Sequence, residues 1–61
     1  MKRAILKETA TGREIEVHAT TEHPDSSYGH PVWVDDEGVA YLQADLPIPN
    51  PFYTVIKTWE D

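Results

Sequence analysis

The chain has 61 residues, no cysteine and a net charge of −6, from eleven acidic and five basic side chains. A chain this short buries only about 60% of the surface that its unfolded form exposes, so it depends on one small apolar core that no disulfide reinforces. The acidic balance argues against binding nucleic acid or an anionic membrane, because both need clustered lysine and arginine. We expect one domain over residues 1–61 and, as a partner, a protein with a basic surface.

The first ten residues, MKRAILKETA, contain only a short apolar run. A signal peptide needs roughly 7–15 consecutive apolar residues, and a transmembrane helix needs about 20. Neither pattern occurs, so the expected location is the cytoplasm.

The first predicted element is a β-hairpin. Residues 14–19, EIEVHA, alternate apolar and polar side chains with period two, which is typical of a strand with one face on a core. The predicted partner is residues 2–8, KRAILKE, joined by a four-residue loop that ends at a left-handed Gly12. The pairs set by this loop are Ala4 with Val17, Leu6 with Ile15, Lys7 with Glu14, and Glu8 with Arg13. Two of these pairs join opposite charges, whereas a three-residue loop would place like charges opposite each other.

A long loop follows at residues 20–31, TTEHPDSSYGHP. Pro24 and Pro31 stiffen it, Asp25 suits a local turn, and Gly29 suits a reversal of the chain. Loops of about this length are usually functional or disordered, and this composition favours an ordered loop folded over one end of a barrel. We interpret it as a structural lid or a recognition surface.

The second predicted hairpin is VWVDDEGVAYL, residues 32–42. A type I turn over Asp36 and Glu37, followed by a left-handed Gly38, is a common three-residue hairpin connection. The predicted pairs are Val32 with Leu42 and Val34 with Ala40 on an aliphatic face, and Trp33 with Tyr41 on an aromatic face. Either face can be the core. The carboxylates at the tip, Asp35, Asp36 and Glu37, are interpreted as a solvated turn.

The prolines at 47, 49 and 51 remove alternate backbone donors, which predicts a stiff connection over residues 44–51. The last predicted strand, residues 52–59, alternates Phe52, Thr54 and Ile56 against Tyr53 and Val55, and either set can face inward. Five short strands predict an all-β, five-stranded antiparallel barrel or curled sheet, since curling limits exposed edges.

The order of elements resembles an SH3-like barrel. The string IPNPFYTVI is similar to the Pro–Tyr–Val end of signalling SH3 domains, but the ALYDY-type strand and the paired tryptophans of those domains do not occur. The resemblance therefore implies an architecture and no function.

Residue types for chemistry are present, but their pattern does not favour a catalytic site. Ser26 and Ser27 stand near Asp25, His23 and His30, yet the sequence shows no cleft or oxyanion donor that a nucleophile would need. A metal, if one bound, would use the three histidines, but their spacing fits neither one helix nor one strand and there is no thiolate. We expect no enzyme, no cofactor and no metal site; the metal alternative would rest on His18, His23 and His30.

The aromatic side chains give a more specific hypothesis. If the aliphatic face of the second hairpin is the core, then Trp33 and Tyr41 are exposed side by side and Tyr28 can join them from the long loop. Exposed aromatic clusters commonly mark binding surfaces. The expected function is a non-catalytic acidic module that binds a protein partner through Tyr28, Trp33 and Tyr41. Two alternatives stay open: an acidic inhibitor that occupies a nucleic-acid-binding groove of its target, and a small histidine-based metal- or ligand-binding protein.

Overall fold

Five strands arranged in one antiparallel sheet form the fold. The computed structural model describes residues 1–26, 28–45 and 50–61, and contains no helix in these ranges, hence none that is long and apolar enough to span a membrane. The strands are β1 Lys2–Glu8, β2 Glu14–Thr20, β3 Val32–Val34, β4 Ala40–Gln43 and β5 Tyr53–Glu60. Their order in the sheet is β4-β3-β2-β1-β5. The all-β prediction is confirmed; Ser27 and half of the predicted proline connection, residues 46–49, lie outside the described residues.

The β1–β2 hairpin has the register that pattern and charge predict. Ala4 pairs with Val17, Leu6 with Ile15, and Lys7 with Glu14. The four-residue loop closes through two backbone bonds, from Glu8 N to Arg13 O at 2.8 Å and from Gly12 N to Glu8 O at 2.7 Å. Gly12 has a φ of +75°, the left-handed conformation that the loop requires.

The β3–β4 hairpin has the predicted turn but not the whole predicted register. Gly38 N donates to Asp35 O, Gly38 has a φ of +83°, and Val34 pairs with Ala40. Val32, however, pairs with Gln43, so the predicted Val32–Leu42 pair is wrong. A β-bulge inserts one extra residue on β4, so that Trp33 faces two residues of that strand.

The aromatic face of this hairpin lies on the core. Trp33 pairs with Ala19 and is 2% exposed, in a cluster with Ala4, Leu6 and Val17. The aliphatic residues were expected to fill the core if the aromatics were exposed, and that arrangement is not observed. The bulge explains how β4 contributes, since Tyr41 and Leu42 both pack against the cluster although they are adjacent in sequence.

The sheet curls until its two edge strands approach each other. The rings of Tyr41 on β4 and Tyr53 on β5 meet edge to face, with centroids 5.2 Å apart. Val55 pairs with Leu6 and so lies on the same face of the sheet, although it remains 40% exposed. The strands β4 and β5 do not pair through the backbone, so the sheet is curled without being closed.

Candidate functional site

An acidic cleft lies where the tip of the β3–β4 hairpin meets the start of β2. Its volume is about 270 Å³, slightly below the usual range for small-molecule pockets. It is lined by one base, five acids and two side chains with large apolar surfaces: Arg13; Glu14, Glu16, Asp35, Asp36 and Glu37; Ile15 and Tyr41. The cleft therefore combines a negative rim with an apolar floor.

Asp35 holds the hairpin turn together. Its Oδ1 accepts hydrogen bonds from the backbone N–H groups of Glu37, at 2.9 Å, and Val39, at 3.0 Å. This is the local side-chain to backbone bonding for which aspartate is favoured in turns. The carboxylate of Asp35 is thus committed to the fold of the tip.

The second oxygen of Asp35 ties the turn to the cleft floor. The hydroxyl of Tyr41 donates to Asp35 Oδ2 at 2.7 Å. This bond is the main cause that lowers the pKa of Asp35 below its usual value, and the bonds from Val39 and Glu37 and the charge of Arg13 act in the same direction. The same bond, with burial and the charge of Asp35, raises the pKa of Tyr41 to about 12. Tyr41 is therefore a neutral, fixed part of the floor at physiological pH.

The other carboxylates of the cleft are exposed. Asp36 and Glu37 stand at the hairpin tip, and Glu14 and Glu16 project from the neighbouring end of β2. Glu16 lies 3.9 Å from the guanidinium of Arg3. An ion pair this long and open to solvent contributes little to stability. Like charges gathered around a concave surface focus a negative potential, which attracts cations or basic side chains.

The structure does not bring together the three aromatic residues that were predicted to form a binding surface. Trp33 is buried, Tyr41 is half-buried in the cleft floor, and Tyr28 is 99% exposed in the long loop with a φ of +53°. The sequence left open whether Trp33 is exposed or buried, and its pairing with Ala19 places it in the core. Trp33 consequently offers no surface to a partner. Tyr28 and Tyr41 keep exposed atoms, at separate places.

The described residues of the long loop, 21–26 and 28–31, contact both ends of the β3–β4 hairpin. The Nδ1 of His23 accepts from Asp25 N at 3.0 Å, so its Nε2 carries the hydrogen and donates to Gly38 O at 3.0 Å. At the other end, His30 Nδ1 lies 2.7 Å from Asp45 Oδ2. These contacts join the loop to the hairpin at its turn and at its open end. Val32 and Val34, on the face of β3 opposite Trp33, are also buried.

The candidate catalytic residues do not form a catalytic arrangement in the described part of the chain. The hydroxyl of Ser26 donates to the backbone carbonyl of His30 and not to an imidazole. The carboxylate of Asp25 is 3.9 Å from His23 Nδ1, which already accepts a backbone bond. Ser27, the other candidate nucleophile, lies outside the described residues.

The three histidines have separate surroundings. His18 is on β2 between Arg3 and Val34, His23 contacts the hairpin turn, and His30 contacts Asp45. Within residues 1–26, 28–45 and 50–61, no three side chains of histidine, cysteine, aspartate or glutamate are grouped in a way that would hold a metal ion.

Sequence reasoning missed the cleft because its two sides are far apart along the chain. The carboxylates at the hairpin tip were recognised, but as a solvated turn, and Glu14 and Glu16 were assigned only to the solvent face of β2. One feature of the sequence could have indicated the cleft, namely the difference in length between the strands β2 and β3. Seven residues of β2 stand beside a β3 of three residues, so β2 must extend beyond its neighbour, next to the turn.

Comparison with protein-family models, with curated proteins and with solved structures finds no match to this chain. The geometry of the chain itself is therefore the basis for its function.

Proposed function

We propose that this protein is a non-catalytic interaction module that binds a basic segment of a partner protein in the acidic cleft. The observation that carries the proposal is the convergence of five carboxylates and a single base around a concave surface floored by Ile15 and Tyr41. The proposal keeps the acidic module that the sequence favours. It moves the contact surface from Trp33, which is buried, to the cleft.

The two components of the cleft match the two components of a basic side chain. Lysine and arginine carry an apolar stem below a charged head, and the stem packs well on apolar surface while the head stays solvated. Ile15 and the ring of Tyr41 supply that surface, and the carboxylates of Asp36 and Glu37 stand at its rim. Complementary charge of this kind speeds encounter and fixes orientation more than it adds affinity. Tyr28, at its exposed position, is available as a second contact.

We propose a cytoplasmic setting, because a small domain without cysteine gains nothing from an oxidising compartment. The SH3-like order of elements remains a resemblance of architecture, and the proposal does not use it.

A second candidate is the acidic inhibitor that occupies a nucleic-acid-binding groove. Exposed carboxylates outside the cleft, among them Glu22 and Glu60, favour it, since such a groove meets negative charge over a wide area. The two functions predict different effects of removing a carboxylate. Binding in the cleft predicts that loss of a cleft carboxylate weakens binding more than loss of one elsewhere, whereas the inhibitor predicts equal weakening.

Two variants with the same chemical change separate them. Glu37→Gln removes a cleft carboxylate and Glu22→Gln removes one that does not line the cleft, and neither side chain forms a hydrogen bond or ion pair among the described residues. The probe is the capped peptide acetyl-Lys-Gly-Arg-Gly-Lys-amide, titrated by NMR at low salt and again at about 0.5 M salt. We expect Glu37→Gln to weaken binding about two- to fivefold and Glu22→Gln to leave it unchanged.

Equal weakening by the two variants would assign binding to the overall charge and favour the inhibitor. Absence of binding to the wild-type protein at low salt would contradict the cleft as a site for basic segments.

A further inference from the structure

One stretch of β2 has an unpaired backbone edge inside the cleft. The last backbone pair between β2 and β3 is His18 with Val34, after which β3 ends and the chain turns away at Asp35. β2 continues past this point to Glu14. The space that β3 would fill if it were longer is bordered by Glu14, Glu16 and the residues of the hairpin turn.

The direction of the backbone groups along this stretch follows from the first hairpin. Glu8 N donates to Arg13 O, so Arg13 and every second residue after it direct their N–H and C=O groups toward β1. Glu14 and Glu16 therefore direct theirs the other way, as His18 does toward β3. No described residue forms a backbone hydrogen bond with Glu14 or Glu16 on that side.

We infer that this edge receives an extended segment of the partner, which adds a short strand antiparallel to β2 in line with β3. Pairing of a peptide with an open sheet edge is a common mode of recognition, in which backbone bonds give affinity and alternate side chains give specificity. The inference rests on the proposed function and specifies the geometry of the bound segment.

The side chains around the edge define the sequence that fits. Residues of the added strand opposite Glu14 and Glu16 share the face of those carboxylates, whereas the residue between them shares the face of Ile15. Opposite charges across a strand pair are favourable, and the core-side face is apolar. The bound segment is therefore expected to have a basic, an apolar and a basic residue at three consecutive positions.

A second copy of this chain does not fit that description. The five basic residues stand at positions 2, 3, 7, 13 and 57, and no two of them are separated by one residue. The occupant is thus a segment of a different protein with lysine or arginine at alternate positions.

The test uses the peptide acetyl-Gly-Lys-Val-Arg-Gly-amide and two doubly N-methylated forms of it. One form carries the methyl groups on the Lys and Arg nitrogens, which face β2 in the inferred strand, and the other carries them on the Val and the final Gly nitrogens, which face away. Both have the same charge and the same number of methyl groups. Binding to the full chain is measured by NMR titration, together with the exchange of the Glu14 and Glu16 amide protons.

We expect methylation at Lys and Arg to weaken binding about tenfold or more, because it removes donors and leaves backbone carbonyls of β2 unpaired. Methylation at Val and Gly should leave binding within about twofold of the parent peptide, and the parent should slow exchange at Glu14 and Glu16. Equal binding of the two methylated forms would overturn the added strand while leaving the acidic cleft as a binding site. If the parent peptide does not bind, the added strand is overturned as well, and binding of acetyl-Lys-Gly-Arg-Gly-Lys-amide then decides separately whether the proposed function stands.

Discussion

The two hairpins of this protein both turn at a left-handed glycine, but they differ in regularity and in what they contribute to the fold. The β1–β2 hairpin has matched seven-residue strands, a regular register and two residues of the core on its first strand. The β3–β4 hairpin is short and bulged, its turn is held by Asp35, and the preceding loop contacts it at both ends. The mismatch in length between β2 and β3 creates the cleft. In this fold the regular hairpin provides a platform, and the irregular hairpin provides the surface shape.

That contrast is incomplete, because Trp33 belongs to the irregular hairpin and yet lies in the core. Its truncation gives the largest expected effect. Trp33→Ala should cost about 3–5 kcal/mol, since the side chain is 2% exposed and its removal leaves a large cavity. A loss of this size can unfold a small domain, and thermal melting followed by circular dichroism measures it.

Tyr28→Ala is the matched control, because it also truncates a large aromatic residue but one that is 99% exposed. Its free energy of unfolding should lie within about 0.5 kcal/mol of the wild-type value. A Trp33→Ala protein that melts like the wild type would show that the irregular hairpin contributes nothing to the core.

The glycines of the two turns allow a direct comparison of the hairpins. Gly12 and Gly38 have φ values of +75° and +83°, and a Cβ placed at either position meets no atom closer than 4.0 Å. The cost of Gly12→Ala and of Gly38→Ala therefore comes from the left-handed backbone, about 1–2 kcal/mol in each case. Urea unfolding should show two similar losses.

A Gly38→Ala protein that keeps its full stability would contradict the left-handed turn at the cleft. A much larger loss at Gly38 than at Gly12 would mean that the cleft tip depends on contacts beyond its own turn.

The smallest expected effect is a pH dependence specific to the irregular hairpin. The pKa of Tyr41 is raised from 10.0 to about 12, so between these values the unfolded chain releases the phenol proton while the folded chain retains it. The stabilisation is complete below about pH 10 and is lost as the pH rises toward 12. At the acidic end, the lowered pKa of Asp35 gives stabilisation that is present above the usual 3.8 and is lost as the pH falls through the lowered value.

Tyr41→Phe should remove the alkaline loss and reduce the acidic one, because it deletes the hydroxyl that bonds Asp35. The measurement is the urea midpoint at intervals from about pH 3 to about pH 12. Tyr53→Phe is the control, since the hydroxyl of Tyr53 forms no hydrogen bond among the described residues. The same alkaline slope in wild type and Tyr41→Phe would show that the bond to Asp35 does not form in solution.

The sequence predicts those features that neighbouring residues determine. The register of β1 and β2 follows from the opposite charges of Lys7 and Glu14, and the turn at Gly38 follows from the residues next to it. The bulge that shifts Val32 from Leu42 to Gln43 has no such local signal, because strict alternation along VWV and AYL favours a regular pairing. The face of Trp33 was undecidable for the same reason, since both faces of that hairpin are apolar. The cleft depends on where β3 ends beside β2, which is a property of the assembled sheet.

The place of β1 in the sheet has a consequence during synthesis of the chain. β1 pairs with β2 on one side and with β5 on the other, and β5 begins 45 residues after β1 ends, as the positions of Glu8 and Tyr53 show. At about 5–20 residues per second, a ribosome needs about 2–9 s to supply that second partner. Once β2 has paired with β1 and until β5 pairs, the hairpin presents an open edge at β1, where Ile5 stands between the charged residues Arg3 and Lys7 on one face. Charged side chains on such an edge discourage pairing with another chain. Arg3 and Lys7 therefore protect the nascent chain before the residues that bury its core have been made.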